Sequence, residues 1–201
     1  MPARMRILRA ADYRRMPWKN GGGETREIAV SPTGAALDEL DWRISLATVA
    51  SDGPFSAFNG ITRTLSVIHG AGIQLKIGDE APVALLSTSN PYTFDGEAPA
   101  GAALIDGPIV DLNVMTKRGR FRHEVRRLAL SGLIELTTAG DATIFFCRTG
   151  TLFCRLSTLS GELRPDDCVM FESAGRPVHL SAAKAADVYV IELYRELTRS
   201  G

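Results

Sequence analysis

Cysteine and histidine are scarce in this chain of 201 residues, with three of each. No two cysteines have the CxxC spacing and no two histidines form an HxH pair, so neither a zinc site nor a disulfide framework is indicated. We therefore predict a protein of the reducing cytoplasm that has no bound metal and no cofactor. The residues concerned are Cys147, Cys154 and Cys168, which fall in apolar stretches, and the isolated His69, His123 and His179.

An excess of charge and long apolar runs are also missing. The 23 Lys and Arg residues balance 23 Asp and Glu residues, so we predict no direct binding of nucleic acid. The one basic run, at 117–127, is interpreted as a solvated connecting segment, and its His123 as solvated. The N-terminus lacks the apolar region of a secretory signal, and no run approaches the roughly 18 apolar residues of a membrane helix. We expect no contact with a membrane.

The chain does contain many short segments that alternate with period two and are separated by Gly, Pro, Asn and Asp. This pattern predicts an all-β fold with few short helices, which we place at 10–15 and 35–40. The predicted strands are 27–30, 42–49, 63–69, 73–77, 83–87, 91–94, 102–105, 110–115, 143–148, 151–156, 168–171, 177–181 and 187–194.

The two halves of the chain resemble each other in the order of these segments. LSVIHGAGIQLKI and its following strands in the first half correspond to TIFFCRTGTLFCRL and its followers in the second. Such an order is typical of a cupin barrel, and the duplication predicts a bicupin with a barrel at 1–118, a connector at 119–140 and barrel strands at 141–201, packed as one compact unit. The alternative is that any all-β chain with glycine turns can be paired into apparent repeats.

Polar residues share faces of three predicted strands. Alternation puts Arg43 on one face with Ser45, Arg63 on a face with Leu65, and Asp111 on a face with Asn113. These could be exterior side chains, but together with Lys19, Asn20 and Thr25 they form a set that suits a small carboxylate or amide ligand, because arginine binds carboxylates with two parallel hydrogen bonds.

The stretches MPWKNGGGETREI, DWRISLATVASDGPFSAFNGITRTLSVIHGAG, YTFDG and IDGPIVDLNVM resemble the HutD/Ves family over residues 5–118. The resemblance implies a bicupin-like protein associated with bacterial histidine utilisation, which binds a pathway intermediate such as N-formylglutamate and catalyses no pathway step. The segment 16–27 is then a flap at the barrel mouth, not a phosphate loop, because a strand and not a helix follows its glycines. The predicted ligand-binding residues are Trp18, Lys19, Asn20, Thr25, Glu27, Arg43, Ser45, Arg63, Asp111 and Asn113.

Three functions remain open from the sequence. The first is a metal-free small-molecule-binding protein that modulates histidine utilisation. The second is an enzyme, an amide or formyl hydrolase or an isomerase, with Glu27 or Asp111 as general base. The third is a module that binds only other proteins, and the sequence also leaves a homodimer open.

Overall fold

The computed structural model describes residues 4–18 and 21–196, which form an almost purely β structure. The first eleven strands are β1 Met5–Leu8, β2 Arg14–Pro17, β3 Gly23–Ser31, β4 Trp42–Val49, β5 Gly53–Pro54, β6 Ile61–His69, β7 Gly72–Ile77, β8 Val83–Leu86, β9 Tyr92–Asp95, β10 Ala100–Leu104 and β11 Ile109–Lys117. They are followed by β12 Phe121–Thr137, β13 Ala142–Thr149, β14 Leu152–Leu156, β15 Leu159–Leu163, β16 Cys168–Phe171 and β17 Pro177–Arg195.

Contacts divide the chain into two compact units, and the first consists of residues 14–121. Its six-stranded sheet has the order β2-β3-β4-β11-β6-β9, and its four-stranded sheet has the order β5-β10-β7-β8. Apolar side chains from both sheets form one core, in which Leu65 and Val67 of β6 pack with Ile73 and Leu75 of β7. This core fixes the six-stranded sheet that carries the candidate site.

The second unit combines residues 4–13 with residues 122–196. Its sheet has the order β1-β16-β13-β17-β14-β15, and β12 pairs with β17. Cys147 and Cys154 belong to its apolar core, and Cys168 is also fully buried. Burial raises the pKa of the Cys147 thiol to about 11 and that of Cys154 to about 12, so these cysteines behave as small apolar residues.

Both predicted helices are wrong. A single 3-10 turn, Ala10–Asp12, stands where 10–15 was expected to be helical, and β2 begins at Arg14. Residues 35–40 form turns held by short-range backbone hydrogen bonds, such as the one from the Glu39 amide to the Ala36 carbonyl at 3.1 Å. Segments this short cannot recover the cost of helix nucleation. Pairing of β2 with β3 satisfies the backbone of Arg14 and Arg15 instead.

The basic run is a second departure from expectation. Residues 119–140, predicted as a connector, contain the 17-residue strand β12. His123 on this strand is partly buried and not solvated as predicted, and burial lowers the pKa of its imidazole to about 4. The strand was missed because the charged residues were interpreted as solvated, although exposed Arg122, Glu124 and Arg126 alternate with less exposed residues. None of the helices formed by the described residues is long and apolar enough to span a membrane.

Candidate ligand-binding site

A cavity of about 550 Å³ opens on the six-stranded sheet of the first unit. Its floor is mostly polar and its walls are apolar. The polar floor residues are Thr25, Arg43, Ser45, Arg63, Asp111 and Asn113, with Met115 between the two arginines, and the walls include Met16, Trp18, Phe55 and Phe58.

The pairing of three adjacent strands explains why these polar side chains meet. Strand β11 lies between β4 and β6, and residues two apart on each strand point to the same face. This agrees with the faces assigned from the sequence. The rows of paired residues on the cavity face are Ala47–Asp111–Val67, Ser45–Asn113–Leu65 and Arg43–Met115–Arg63.

Three of these side chains form a directed chain of hydrogen bonds. The Nε–H of Arg63 donates to Oδ1 of Asn113 at 2.7 Å, and Nδ2–H of Asn113 donates to Oδ1 of Asp111. Arginine can only donate, so the Asn113 amide must turn its oxygen to Arg63 and its nitrogen to Asp111. All three residues are buried.

Arg63 is held by aromatic rings as well as by this bond. Its guanidinium carbon lies 4.7 Å from the ring centre of Phe55 and 5.5 Å from that of Phe94. Burial lowers the pKa of the guanidinium, and the charge of Asp111 opposes that shift. Arginine nevertheless stays charged at any physiological pH. In the described part of the chain, Nε–H is the one group of the Arg63 guanidinium that forms a hydrogen bond. Its terminal nitrogens can therefore donate to a ligand.

Asp111 is the most deeply buried of the polar floor residues, with 0% of its surface exposed. Burial raises the pKa of its carboxyl to about 7, although Arg63 and the hydrogen bond from Asn113 act in the opposite direction. In the described part of the chain, its Oδ2 has no hydrogen-bond partner. A buried carboxyl oxygen without a partner is costly, so this atom is suited to a bond with a ligand.

Arg43 completes the floor on the other side of β11. Its Nε–H donates to Oε2 of Glu27 at 2.8 Å, and its terminal nitrogen lies 3.9 Å from Sδ of Met16. Glu27 is not one of the described residues that line the cavity. The structure therefore gives Glu27 the position of a residue that orients Arg43.

Trp18, Gly21 and Gly22 lie between β2 and β3. The Trp18 indole donates to Oγ1 of Thr25 at 2.9 Å, and the Trp18 amide donates to the carbonyl of Gly23 at 2.9 Å. Both Trp18 and Thr25 line the cavity. Lys19 and Asn20, also predicted to bind the ligand, lie outside the described residues.

Sequence reasoning predicted Trp18 but missed the other aromatic residues of the site. Phe55 and Phe58 lie between β5 and β6, where no strand alternation indicates which way a side chain points. Met115 shares the face of Asp111 and Asn113, and this spacing was the signal for its place in the cavity lining.

Comparison with known proteins gives a consistent result. The HutD family model matches residues 10–190. An uncharacterized 21.2 kDa protein in the hutC 3' region of Pseudomonas putida is 39% identical over 144 residues, which are 72% of this chain and 74% of that protein. Protein Ves of Citrobacter koseri is 40% identical over 119 residues, 57% of this chain and 61% of that protein.

Solved structures agree with these sequence matches. A conserved protein of unknown function from Pseudomonas aeruginosa PAO1 superposes with a TM-score of 0.89 at 33% identity, covering 95% of this chain and 99% of that one. HutD from Pseudomonas fluorescens SBW25, in a formate condition, gives a TM-score of 0.82 at 30% identity, covering 96% and 99%.

Structures with lower sequence identity show similarity of the fold alone. A cupin 2 conserved barrel domain protein from Leptotrichia buccalis has a TM-score of 0.59 at 10% identity, covering 92% of this chain and 99% of that one. The predicted all-β fold of duplicated cupin-like barrels is confirmed.

Proposed function

Because this chain belongs to the HutD family, we propose that it is a small-molecule-binding protein that modulates histidine utilisation. Its ligand is a small carboxylate that carries an amide or formyl group, such as N-formylglutamate. The observation that carries this proposal is the buried polar floor, in which Arg63, Asn113 and Asp111 are joined by hydrogen bonds beneath a cavity. Such a floor is costly to bury unless a ligand completes its hydrogen bonds.

Two arginines suit a ligand with two carboxylates. Arg43 and Arg63 pair with Met115 from opposite sides, so their backbones are two strand spacings, about 10 Å, apart. Arg43 is partly neutralised by Glu27, whereas Arg63 faces a carboxyl that is half protonated near pH 7. The floor therefore keeps positive charge that a carboxylate can balance.

The remaining floor residues suit the neutral part of such a ligand. Ser45 and Asn113 lie in the row next to that of the two arginines, where they could bind an amide or formyl oxygen. The walls formed by Trp18, Phe55 and Phe58 suit the carbon chain between the polar ends. Few polar groups at fixed places within apolar walls are typical of small-molecule sites.

Thermal unfolding with added ligand tests this proposal. Urocanate, formiminoglutamate, N-formylglutamate, glutamate and formate would each be titrated to millimolar concentration. We expect N-formylglutamate to raise the melting temperature in proportion to the logarithm of its concentration, and Arg63→Gln to abolish the shift. A melting temperature that none of the five compounds changes would contradict the ligand assignment.

The raised pKa of Asp111 favours a second candidate function, general base catalysis. A carboxyl that titrates near neutrality, beside an open cavity, can take a proton from water that attacks a formyl amide, giving formate and an amine. Release of formate from N-formylglutamate, lost in Asp111→Asn, would establish an enzyme. Binding without release would favour the first function.

A further inference from the structure

We propose that the cavity takes up its carboxylate ligand together with one proton, which Asp111 holds on Oδ2 and donates to a ligand oxygen. This inference rests on the proposed function, since it requires an anionic ligand above the polar floor. It goes further by stating that binding is linked to pH, and by giving Asp111 the role of hydrogen-bond donor.

The direction of the hydrogen-bond chain leaves Asp111 one free oxygen. Asn113 donates to Oδ1, and its orientation is fixed by the bond that it accepts from Arg63. Oδ2 is buried and has no partner among the described residues. As part of a carboxylate, this oxygen would require a donor, but as a hydroxyl it requires an acceptor, which a ligand carboxylate supplies.

The charges around Asp111 come from three strands. Arg63 of β6 is the charged group that acts on it directly, and it opposes the effect of burial. The one charged residue of β4 is Arg43, which is held by Glu27 of β3 at 2.8 Å. The residues paired with Asp111 itself, Ala47 and Val67, are apolar.

A ligand carboxylate favours the protonated form of the Asp111 carboxyl. The carboxyl of Asp111 already has a pKa raised to about 7 by burial. A second negative charge beside it raises the pKa further, because two adjacent carboxylates cannot both be ionised at low cost. The ligand and the proton therefore bind cooperatively, as linkage requires.

The pH dependence of binding follows from this coupling. Below about pH 6 Asp111 is already protonated in the free protein, so binding takes up little or no proton. Near pH 8 it is mostly ionised, and binding takes up nearly one proton for each ligand. Affinity for a carboxylate should therefore fall by up to about tenfold for each pH unit above 7.

Titration calorimetry with N-formylglutamate, and with formate as a minimal carboxylate, tests the linkage in the intact protein. Measurements at pH 6 and pH 8, in Tris and in HEPES, give the number of protons taken up from the difference in heat between the buffers. Asp111→Asn is the matched variant, because its amide has the same shape and offers a donor where the protonated acid has one. We expect it to bind equally well at both pH values without proton uptake.

A second measurement needs no ligand. Carbon-13 NMR of aspartate carboxyl groups, with Asp111→Asn to identify the resonance, should show Asp111 titrating near neutral pH. Binding at pH 8 without proton uptake, an Asp111 resonance that titrates at ordinary acidic pH, or loss of binding at pH 6 in Asp111→Asn would each overturn this inference and leave the proposed function intact. No heat and no stabilisation by either compound at any pH would instead overturn both.

Discussion

Arg63 and Asn113 stand 50 residues apart in the chain, and the Nε–H of the arginine donates to Oδ1 of the asparagine at 2.7 Å. Each lies on the cavity face, on the adjacent strands β6 and β11. Only 6% of Arg63 and 2% of Asn113 are exposed. A charged donor in so dry a place forms strong bonds, because little water competes for it. The bond therefore orients both the arginine fork and the amide before any ligand arrives.

Replacing Arg63 by lysine tests the importance of that fork. Lysine keeps the positive charge, but it lacks the planar group that can bond Asn113 and a carboxylate together and lie against the Phe55 ring. A lost hydrogen bond to a charged group is worth about 1.5–3 kcal/mol. We expect Arg63→Lys to weaken N-formylglutamate binding at least about tenfold in calorimetry.

The control for this variant is Arg118→Lys in the same unit. Arg118 is more exposed and pairs with Glu97 at 2.6 Å and with Asp95. Exposed pairs contribute about 0–1 kcal/mol, so this variant should bind like the unaltered protein. Equal weakening in both variants, or none in Arg63→Lys, would contradict a specific role for Arg63.

The fluorescence of Trp18, but not that of Trp42, should change when a ligand binds. Trp18 lines the cavity and donates to Thr25 at 2.9 Å, whereas Trp42 precedes Arg43 on β4 and so lies on the opposite face. In Trp42→Phe, the emission of Trp18 should shift or change in intensity as N-formylglutamate is added. In Trp18→Phe, the emission of Trp42 should stay constant. A response confined to Trp42 would place the ligand outside this cavity.

The stability of the ligand-free protein should depend on pH through Asp111. Its folded-state pKa is raised from 3.8 to about 7, so the stability it contributes is fully present below about pH 4 and is lost as the pH rises through 7. Each pKa unit corresponds to about 1.4 kcal/mol. Asp111→Asn should match the unaltered protein near pH 4 and be more stable at pH 8, by on the order of a few kcal/mol.

Urea unfolding at several pH values measures this difference. Asp95→Asn is a suitable control, because the Asp95 side chain is 59% exposed and its pair with Arg118 is open to solvent. It should leave the shape of the pH profile unchanged. If the profiles of Asp111→Asn and the unaltered protein ran parallel from pH 4 to pH 8, Asp111 would have an ordinary pKa.

Strand alternation made much of the fold and part of the site predictable. The strand at 42–49 was assigned with the observed bounds, and its alternation placed Arg43 and Ser45 on one face. The period of two is local, so it can be read wherever a strand has one apolar and one polar face. In β12 the alternation is present, with Arg122, Glu124 and Arg126 more exposed than the residues between them, but it was overlooked because the many charges were interpreted as a solvated connector.

The hydrogen bonds and pKa values of the site depend on residues that are far apart in the chain, so they could not be predicted from the sequence. Alternation indicates that Asp111 and Asn113 share a face, but not that Asn113 turns its amide to one oxygen and leaves the other without a partner. The ring of Phe55 reaches Arg63 from a loop, where no period applies. These contacts result from packing between strands that are far apart in the chain, and they set the pKa values and the donors that a ligand meets.

The last prediction concerns Gly23, the third glycine of the run 21–23. Its lack of a side chain lets the backbones of β3 and β4 lie close together. A Cβ atom at Gly23 would overlap the carbonyl oxygen of Thr48 and would lie 3.2 Å from the Trp18 ring. The strand pairing of β3 with β4 leaves no room there, since Gly23 is paired with Val49. Gly23→Ala must therefore push β3 away from β4 or displace Trp18 from the cavity.

We expect Gly23→Ala to lower the free energy of unfolding by about 1–3 kcal/mol, as overpacking does, and to weaken N-formylglutamate binding as well. Chemical denaturation and calorimetry measure the two effects. Gly53→Ala is the matched control, because nothing lies within 4 Å of a Cβ at Gly53. Its stability should change little. If Gly23→Ala were as stable as Gly53→Ala and bound the ligand normally, the turn would tolerate a side chain, and close contact between β3 and β4 could not explain the glycine beside the cavity.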